Sequence, residues 1–191
     1  MTPRILAFAG STRKDSFNKK LVSIAAKGAR DTGAEVTLID LRDFPLPLFD
    51  QDLETERGMP ENGRKLKDLF VKHQGLLIAA PEYNSSITAV LKNVIDWVSR
   101  PAPGEPSLVA FTGKVATLMS ASPGALGGLR GLVHVRSILG NIGVIVLPDQ
   151  VAVPKAHEAL KPDGSLIDSK QQAAVEGLGK TLASFLMKLK G

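Results

Sequence analysis

The sequence predicts a doubly wound α/β protein: a five-stranded parallel sheet in the order 2-1-3-4-5, with helices on both faces. Three observations carry that prediction. Short apolar runs of β type alternate with helical patterns along all 191 residues. The third run, Gly75-Leu76-Leu77-Ile78-Ala79-Ala80, is continuously apolar, as expected of a strand buried on both faces. There is no internal repeat, so residues 1–191 read as one single domain.

The first strand is Ile5-Leu6-Ala7-Phe8-Ala9, and the helix after it carries Leu21, Val22, Ala25, Ala26 and Ala29 on one face. Residues 35–40 form the second strand. Two prolines in Phe44-Pro45-Leu46-Pro47-Leu48-Phe49 deny that stretch both helix and central strand. Residues 62–74 carry Leu66, Leu69, Phe70 and His73 at helical spacing. A further helix covers about 87–99, followed by a proline-rich loop from Pro101 to Pro106. The fourth strand covers 114–120, a helix 128–139 and the fifth strand 143–147. Asp163-Gly164 marks a turn, and the last helix presents Leu178, Leu182, Phe185, Leu186 and Leu189, weakened by Gly177 and Gly179.

The helix over 87–99 shows Ile87, Leu91, Val94, Ile95 and Val98 on one stripe, widened by Val90 and Trp97. That width asks for a second packing partner. Another subunit and the Phe44–Phe49 stretch both answer the need.

Composition narrows the function classes. Apolar residues make up 43% and charged residues 23%, ordinary for a soluble globular protein. No apolar run approaches the roughly 20 residues that span a bilayer, and no signal-peptide core precedes the first strand, so a cytoplasmic protein without membrane partners is expected. Cysteine is absent, which excludes disulfides, thiolate nucleophiles and zinc–thiolate sites. The net charge of +5 is spread along the chain and suits anionic ligands; no basic run interleaved with aromatics points to nucleic acid. His73, His134 and His157 show no metal-ligand spacing, and no nucleophile-elbow motif occurs.

Ligands on such sheets bind beyond the carboxyl ends of the strands, so the loops after strands one, three and four matter most. The first is Gly10-Ser11-Thr12-Arg13-Lys14-Asp15-Ser16-Phe17-Asn18. Ser and Asn before a helix are often only caps, and a loop arginine is often only solvated. Here Ser11, Thr12, Arg13, Ser16 and Asn18 place five side-chain donors within eight residues at one strand-to-helix junction. A cap needs one; five suit a phosphate, which helix N-terminal amides also favour. The second loop, Pro81-Glu82-Tyr83-Asn84-Ser85-Ser86, offers a ring face, an amide and two capping hydroxyls beside the first. The third, Ser120-Ala121-Ser122-Pro123-Gly124-Ala125-Leu126-Gly127-Gly128, reads equally as a flexible linker or as a close backbone approach to a ligand.

The first loop, taken with Pro81-Glu82-Tyr83-Asn84 and Leu91-Lys92-Asn93-Val94-Ile95-Asp96-Trp97, resembles the NADPH-dependent FMN reductase family, which includes flavin, quinone, chromate and azo reductases. The similarity extends to Asp50-Gln51-Asp52-Leu53 and Ser120–Gly124. It implies a flavodoxin-like fold and non-covalent FMN, with NADPH or NADH as co-substrate. By match of motif, Ser11, Arg13, Ser16 and Asn18 are implied to hold the phosphate, with Thr12 and Phe17 also implied to bind the cofactor. Pro81, Glu82, Tyr83, Asn84 and Ser85 are implied to line the flavin ring, with Ser120 and Gly124 closing the far side. Thr88-Ala89 stands where many relatives have Pro-Gly.

The resemblance also implies a homodimer or homotetramer and a small-molecule electron acceptor: quinone, flavin, azo compound or chromate. FMN carries the hydride chemistry, so no catalytic residue and no metal is expected. The alternative is a flavodoxin-type carrier that binds FMN without oxidising pyridine nucleotide itself.

Overall fold

A computed structural model of the chain describes residues 2–189. Five strands form one parallel sheet: β1 (Arg4–Ala9), β2 (Glu35–Leu38), β3 (Gly75–Ala79), β6 (Val115–Ala121) and β7 (Ile145–Val153). Their order is β2-β1-β3-β6-β7, the expected 2-1-3-4-5. β3 and β6 are buried along their whole length, which is why β3 reads as an unbroken apolar run rather than as an alternation.

The two faces follow from the period of two along each strand. Ile5, Ala7, Leu77, Ala79, Val115 and Met119 face α1 (Phe17–Asp31) and α7 (Ser169–Lys188). Leu6, Phe8, Leu76, Ile78, Ala116 and Leu118 face α3 (Glu61–Lys72), α4 (Ala89–Val98) and α5 (Leu129–Asn141). A tilted stack of Phe8, Phe70 and Phe111 fills that second layer.

The fifth strand runs six residues past the expected end at Leu147. Pro148 does not stop it because it sits at a bulge on the sheet edge, where the register against β6 slips between Ala116 and Leu118. Arg136 of α5 donates to the Val146, Leu147 and Pro148 carbonyls there. A short helix, α6 (Ala156–Ala159), follows the strand.

The two glycines of α7 have different roles. A Cβ on Gly179 would lie 1.9 Å from the Ala25 carbonyl oxygen, and one on Gly28 of α1 would lie 2.2 Å from that of Glu176. These two helices therefore touch backbone to backbone, which only glycine permits. A Cβ on Gly177 meets nothing within 4 Å.

The wide stripe on α4 is covered by the chain's own Phe44–Phe49 segment. Trp97 Nε1 and Asn93 Nδ2 both donate to the Pro47 carbonyl, at 2.9 and 2.8 Å. Phe49 N donates to Asn93 Oδ1, and its ring meets the Trp97 edge at 5.0 Å. Helix α2 (Gln51–Arg57), which hydrophobic pattern alone did not reveal, follows with Asp50 as its cap and binds Arg100 through Glu54.

At the amino ends of the strands, His73 Nδ1 donates to the Leu69 carbonyl and Nε2 accepts from Thr37 Oγ1 at 2.8 Å. Burial and neighbouring cations hold this ring neutral, below its usual titration range. Lys114 is buried beside it and donates to the His73 carbonyl. Burial pulls its ammonium from 10.5 down to about 8.

Two predictions come from this architecture. Gly179→Ala is expected to cost about 1–3 kcal/mol by forcing the helices apart, while Gly177→Ala gains up to about 1 kcal/mol of helix propensity. Chemical denaturation of the two variants should therefore move in opposite directions. Between about pH 8 and 10.5 the unfolded chain holds a proton that native Lys114 has released, so stability attributable to this group rises with pH through that window. The stability difference between the wild type and Lys114→Met should change across the same interval.

Candidate functional site

The loops after β1, β3 and β6 meet at the carboxyl edge of the sheet. The β1 loop turns tightly at Gly10, whose amide donates to the Ala79 carbonyl at 2.9 Å. A Cβ at Gly10 would lie 2.9 Å from that of Leu91, so glycine lets α4 come close. Thr88 completes the junction. Its Oγ1 donates to the Gly10 carbonyl at 2.6 Å and accepts from Leu91 N at 3.2 Å, capping α4. The Thr88-Ala89 departure thus provides a capped helix start joined to the first loop.

A cleft of about 220 Å³ opens above this edge, lined by Ser11, Arg13, Ser16, Phe17, Asn18, Pro81, Glu82, Tyr83, Ala121, Ser122 and Pro123. A second hollow of about 390 Å³ lies across Arg13 and Tyr83 and includes Thr12, Thr88, Ala89 and Val90. Thr12 therefore faces the second hollow rather than the first.

Ser16 occupies the N-cap position of α1, yet its hydroxyl makes no cap bond. It is buried and lines the first cleft. Arg13 has no ion pair among the described residues, and its guanidinium rests 5.0 Å over the Phe17 ring. Ser11 Oγ accepts from Arg13 N at 3.2 Å and keeps its own proton for donation. The first turn of α1 contains no acid to compete for its positive end.

Asn18 has a different role from the one its motif implied. Its Nδ2 donates to the Ala121 carbonyl at 2.8 Å, and its Oδ1 accepts from Ala121 N at 3.0 Å. The amide thereby joins α1 to the end of β6 and keeps a single N–H for any ligand.

The loop after β3 is a hairpin of β4 (Glu82–Tyr83) and β5 (Ser86–Ile87). Asn84 and Ser85 form its two-residue turn, both at positive φ (50° and 65°), and lie at its tip outside the cleft lining. Tyr83 is 61% exposed and divides the two hollows. The Glu82 carboxylate points to α5: Oε1 accepts from Arg130 at 2.7 and 3.1 Å, and Oε2 accepts from Gly131 N at 3.0 Å. Burial alone would raise its titration, but these donors outweigh it and leave the group below the usual glutamate range. His134 is exposed and bonds Ser86 Oγ at 2.9 Å.

Besides Thr12, Asn84 and Ser85, two further implied residues lie outside the lining of this cleft. Ser120 is fully buried inside β6, paired with Ala152, and its Oγ has no partner among the described residues. Gly124 lies beyond the lining, where its carbonyl accepts from Gly127 and Lys155. Ser122 and Pro123 take their place. The fourth strand runs to Ala121, one residue beyond the expected end, which leaves Ser120 inside the sheet and Ser122 at the cleft.

With the geometry in hand, comparison with known proteins is decisive. A family model of NADPH-dependent FMN reductases matches residues 3–158. The chain belongs to the NADPH-dependent FMN reductase family. An NAD(P)H-dependent FMN reductase of Pseudomonas aeruginosa is 32% identical over 189 residues, covering 98% of this chain and 97% of that protein. A 2-hydroxy-1,4-benzoquinone reductase of a Burkholderia species is also 32% identical, over 98% of this chain and 94% of that one. The solved structure of FerB, a flavoenzyme NAD(P)H:(acceptor) oxidoreductase from Paracoccus denitrificans, aligns with TM-score 0.81 and 28% identity over 98% of both chains. This member of the FMN reductase family is accordingly an FMN- and NAD(P)H-dependent oxidoreductase with a flavodoxin-like fold. None of its described helices is long and apolar enough to cross a membrane.

Arg13→Ala should cost about 1.5–3 kcal/mol of FMN affinity, roughly ten- to a hundred-fold in Kd, and leave riboflavin affinity unchanged. Titrating both flavins against apoprotein checks it.

Proposed function

We propose that the first cleft holds FMN by its phosphate and that the enzyme passes two electrons from NAD(P)H to a small quinone. The observation that carries this reading is the buried Ser16 hydroxyl, uncommitted at a helix N-cap, in one cleft with Arg13, which has no ion pair among the described residues. A dianion with several acceptor oxygens fits that donor set: two hydroxyls, a guanidinium and the first-turn amides of α1.

Bound FMN supplies reversible hydride chemistry that amino-acid side chains lack. The protein supplies position. In this reading Ser11, Arg13 and Ser16 anchor the phosphate, and Phe17 keeps the Arg13 guanidinium in place. Pro81 and Tyr83 form one wall, and Ser122 and Pro123 the other. The exposed Tyr83 leaves the mouth of the cleft open to nucleotide and acceptor in turn. Glu82, held charged by Arg130 and Gly131, has no proton to give near neutral pH. No residue is therefore assigned as general acid, and solvent supplies the second proton of the quinol.

The quinone assignment is supported by relatives named as quinone reductases, including those of Escherichia coli and rice. A homodimer or homotetramer is proposed from the exposed Leu126, Leu129 and Val133, three to four residues apart at the start of α5.

Mixing the flavin-loaded protein anaerobically with NADPH or NADH should bleach its visible absorbance, and a benzoquinone should restore it with one quinol formed per nucleotide oxidised. Protein that stays yellow with both nucleotides would overturn the reading in favour of a carrier. Recovery of colour only with free flavin, azo dye or chromate would overturn the choice of quinone.

A further inference from the structure

Helix α5 begins without a cap of its own. Its N-cap is Gly128 in the left-handed region, no side chain closes it, and its first turn contains no acid. The missing acceptor comes from another crossover. Glu82, 49 residues earlier, accepts the Gly131 N–H and two N–H groups of Arg130. Its side chain is 8% exposed, whereas that of Arg130 is 58% exposed. A buried charge thus rests on the positive end of α5, the placement that a helix dipole and charge-assisted hydrogen bonds favour.

The contact is close because Gly131 has no side chain: a Cβ there would lie 3.3 Å from the Ser86 carbonyl. One turn further along α5, His134 Nδ1 bonds Ser86 Oγ. The hairpin therefore rests on α5 at two points. Helix α5 follows Ser122 and Pro123 in the chain after the five residues 124–128. This stretch is pinned in its own right, by Ala156 N to the Ser122 carbonyl at 3.0 Å and Lys155 N to that of Gly124 at 3.2 Å.

We propose that Glu82 is a positioning residue for the flavin ring, not a ligand to it. One carboxylate ties the Pro81–Tyr83 wall to the start of α5, and through residues 124–128 it sets the distance of that wall from Ser122–Pro123. This rests on the reading of the cleft as the FMN site. Arg13 and Ser16 grip the phosphate, and Glu82 determines how wide the slot for the ring is. Replacing it with glutamine keeps an acceptor for Gly131 but turns an NH₂ group toward Arg130, a donor facing donors.

The test compares the wild type with Glu82→Gln, Arg130→Gln and Arg130→Lys. Dissociation constants for FMN and riboflavin are read by flavin fluorescence, the visible circular dichroism of bound FMN reports ring geometry, and apoprotein melting reports folding. Glu82→Gln should weaken FMN and riboflavin by the same factor, on the order of tenfold, and alter the visible dichroism. Arg130→Gln should do so to a smaller extent, and Arg130→Lys should recover part of the loss. A merely structural role lowers the apoprotein melting temperature but leaves the dichroism of bound FMN unchanged, and that result overturns the proposal. So does a loss confined to FMN with riboflavin untouched, which assigns the effect to the phosphate loop. Should Glu82→Gln fail to fold, Arg130→Gln decides by the same readouts. FMN affinity that Arg13→Ala leaves intact counts instead against the cleft reading, a result the Glu82 series cannot produce.

Discussion

The amide of Asn18 and the backbone of Ala121 exchange two buried hydrogen bonds across 103 residues of sequence. Much of the upper edge of the sheet takes its dimensions from this pair. An amide offers a donor and an acceptor side by side, which is what a strand residue presents once its neighbour strand has ended. Leaving either bond unmade in the interior costs about 1–3 kcal/mol. The pair therefore holds the first turn of α1 at one distance from the end of β6, and the cleft is the space between them. Thr88 does the same on the other side, joining α4 to Gly10 through one hydroxyl. The cleft is rigid because its three loops are tied to one another by side chains and not only by their strands.

The parts of this fold written in periodicity were legible before any coordinates. Continuous apolar runs marked β3 and the centre of the sheet, and spacing of three and four marked the faces of α1, α3 and α4. What escaped reading depended on direction rather than pattern. Ser120 is buried within β6 and Ser122 lines the cleft because the strand runs on to Ala121, an end that the residue types around it do not mark. Asn18 and Glu82 stand within motifs that suggest ligand contact, yet their polar atoms turn to Ala121 and Arg130. Nothing local records a partner 49 or 103 residues away. The hairpin after β3 was missed for a related reason: its turn uses Asn84-Ser85 where the strongest signal is Asn-Gly.

The two ends of the sheet carry opposite electrostatic arrangements. At the carboxyl edge, uncommitted donors surround a cleft open to solvent, and charge is left available. At the amino edge, His73 and Lys114 are buried with their donors directed to carbonyl groups. The proposed site lies where donors are uncommitted, and the opposite end is given over to closure of the core.

The segment from Phe44 to Arg57 clasps residues 93–100, which come later in the chain. It cannot dock when it is first made. On a ribosome, this proline-rich stretch must wait until β3 and α4 have emerged and packed, leaving Leu46 and Phe49 exposed meanwhile. Its two prolines keep it from pairing as a strand during that interval. The prolines that exclude this segment from the sheet therefore also protect the nascent chain, until Trp97 arrives to receive it.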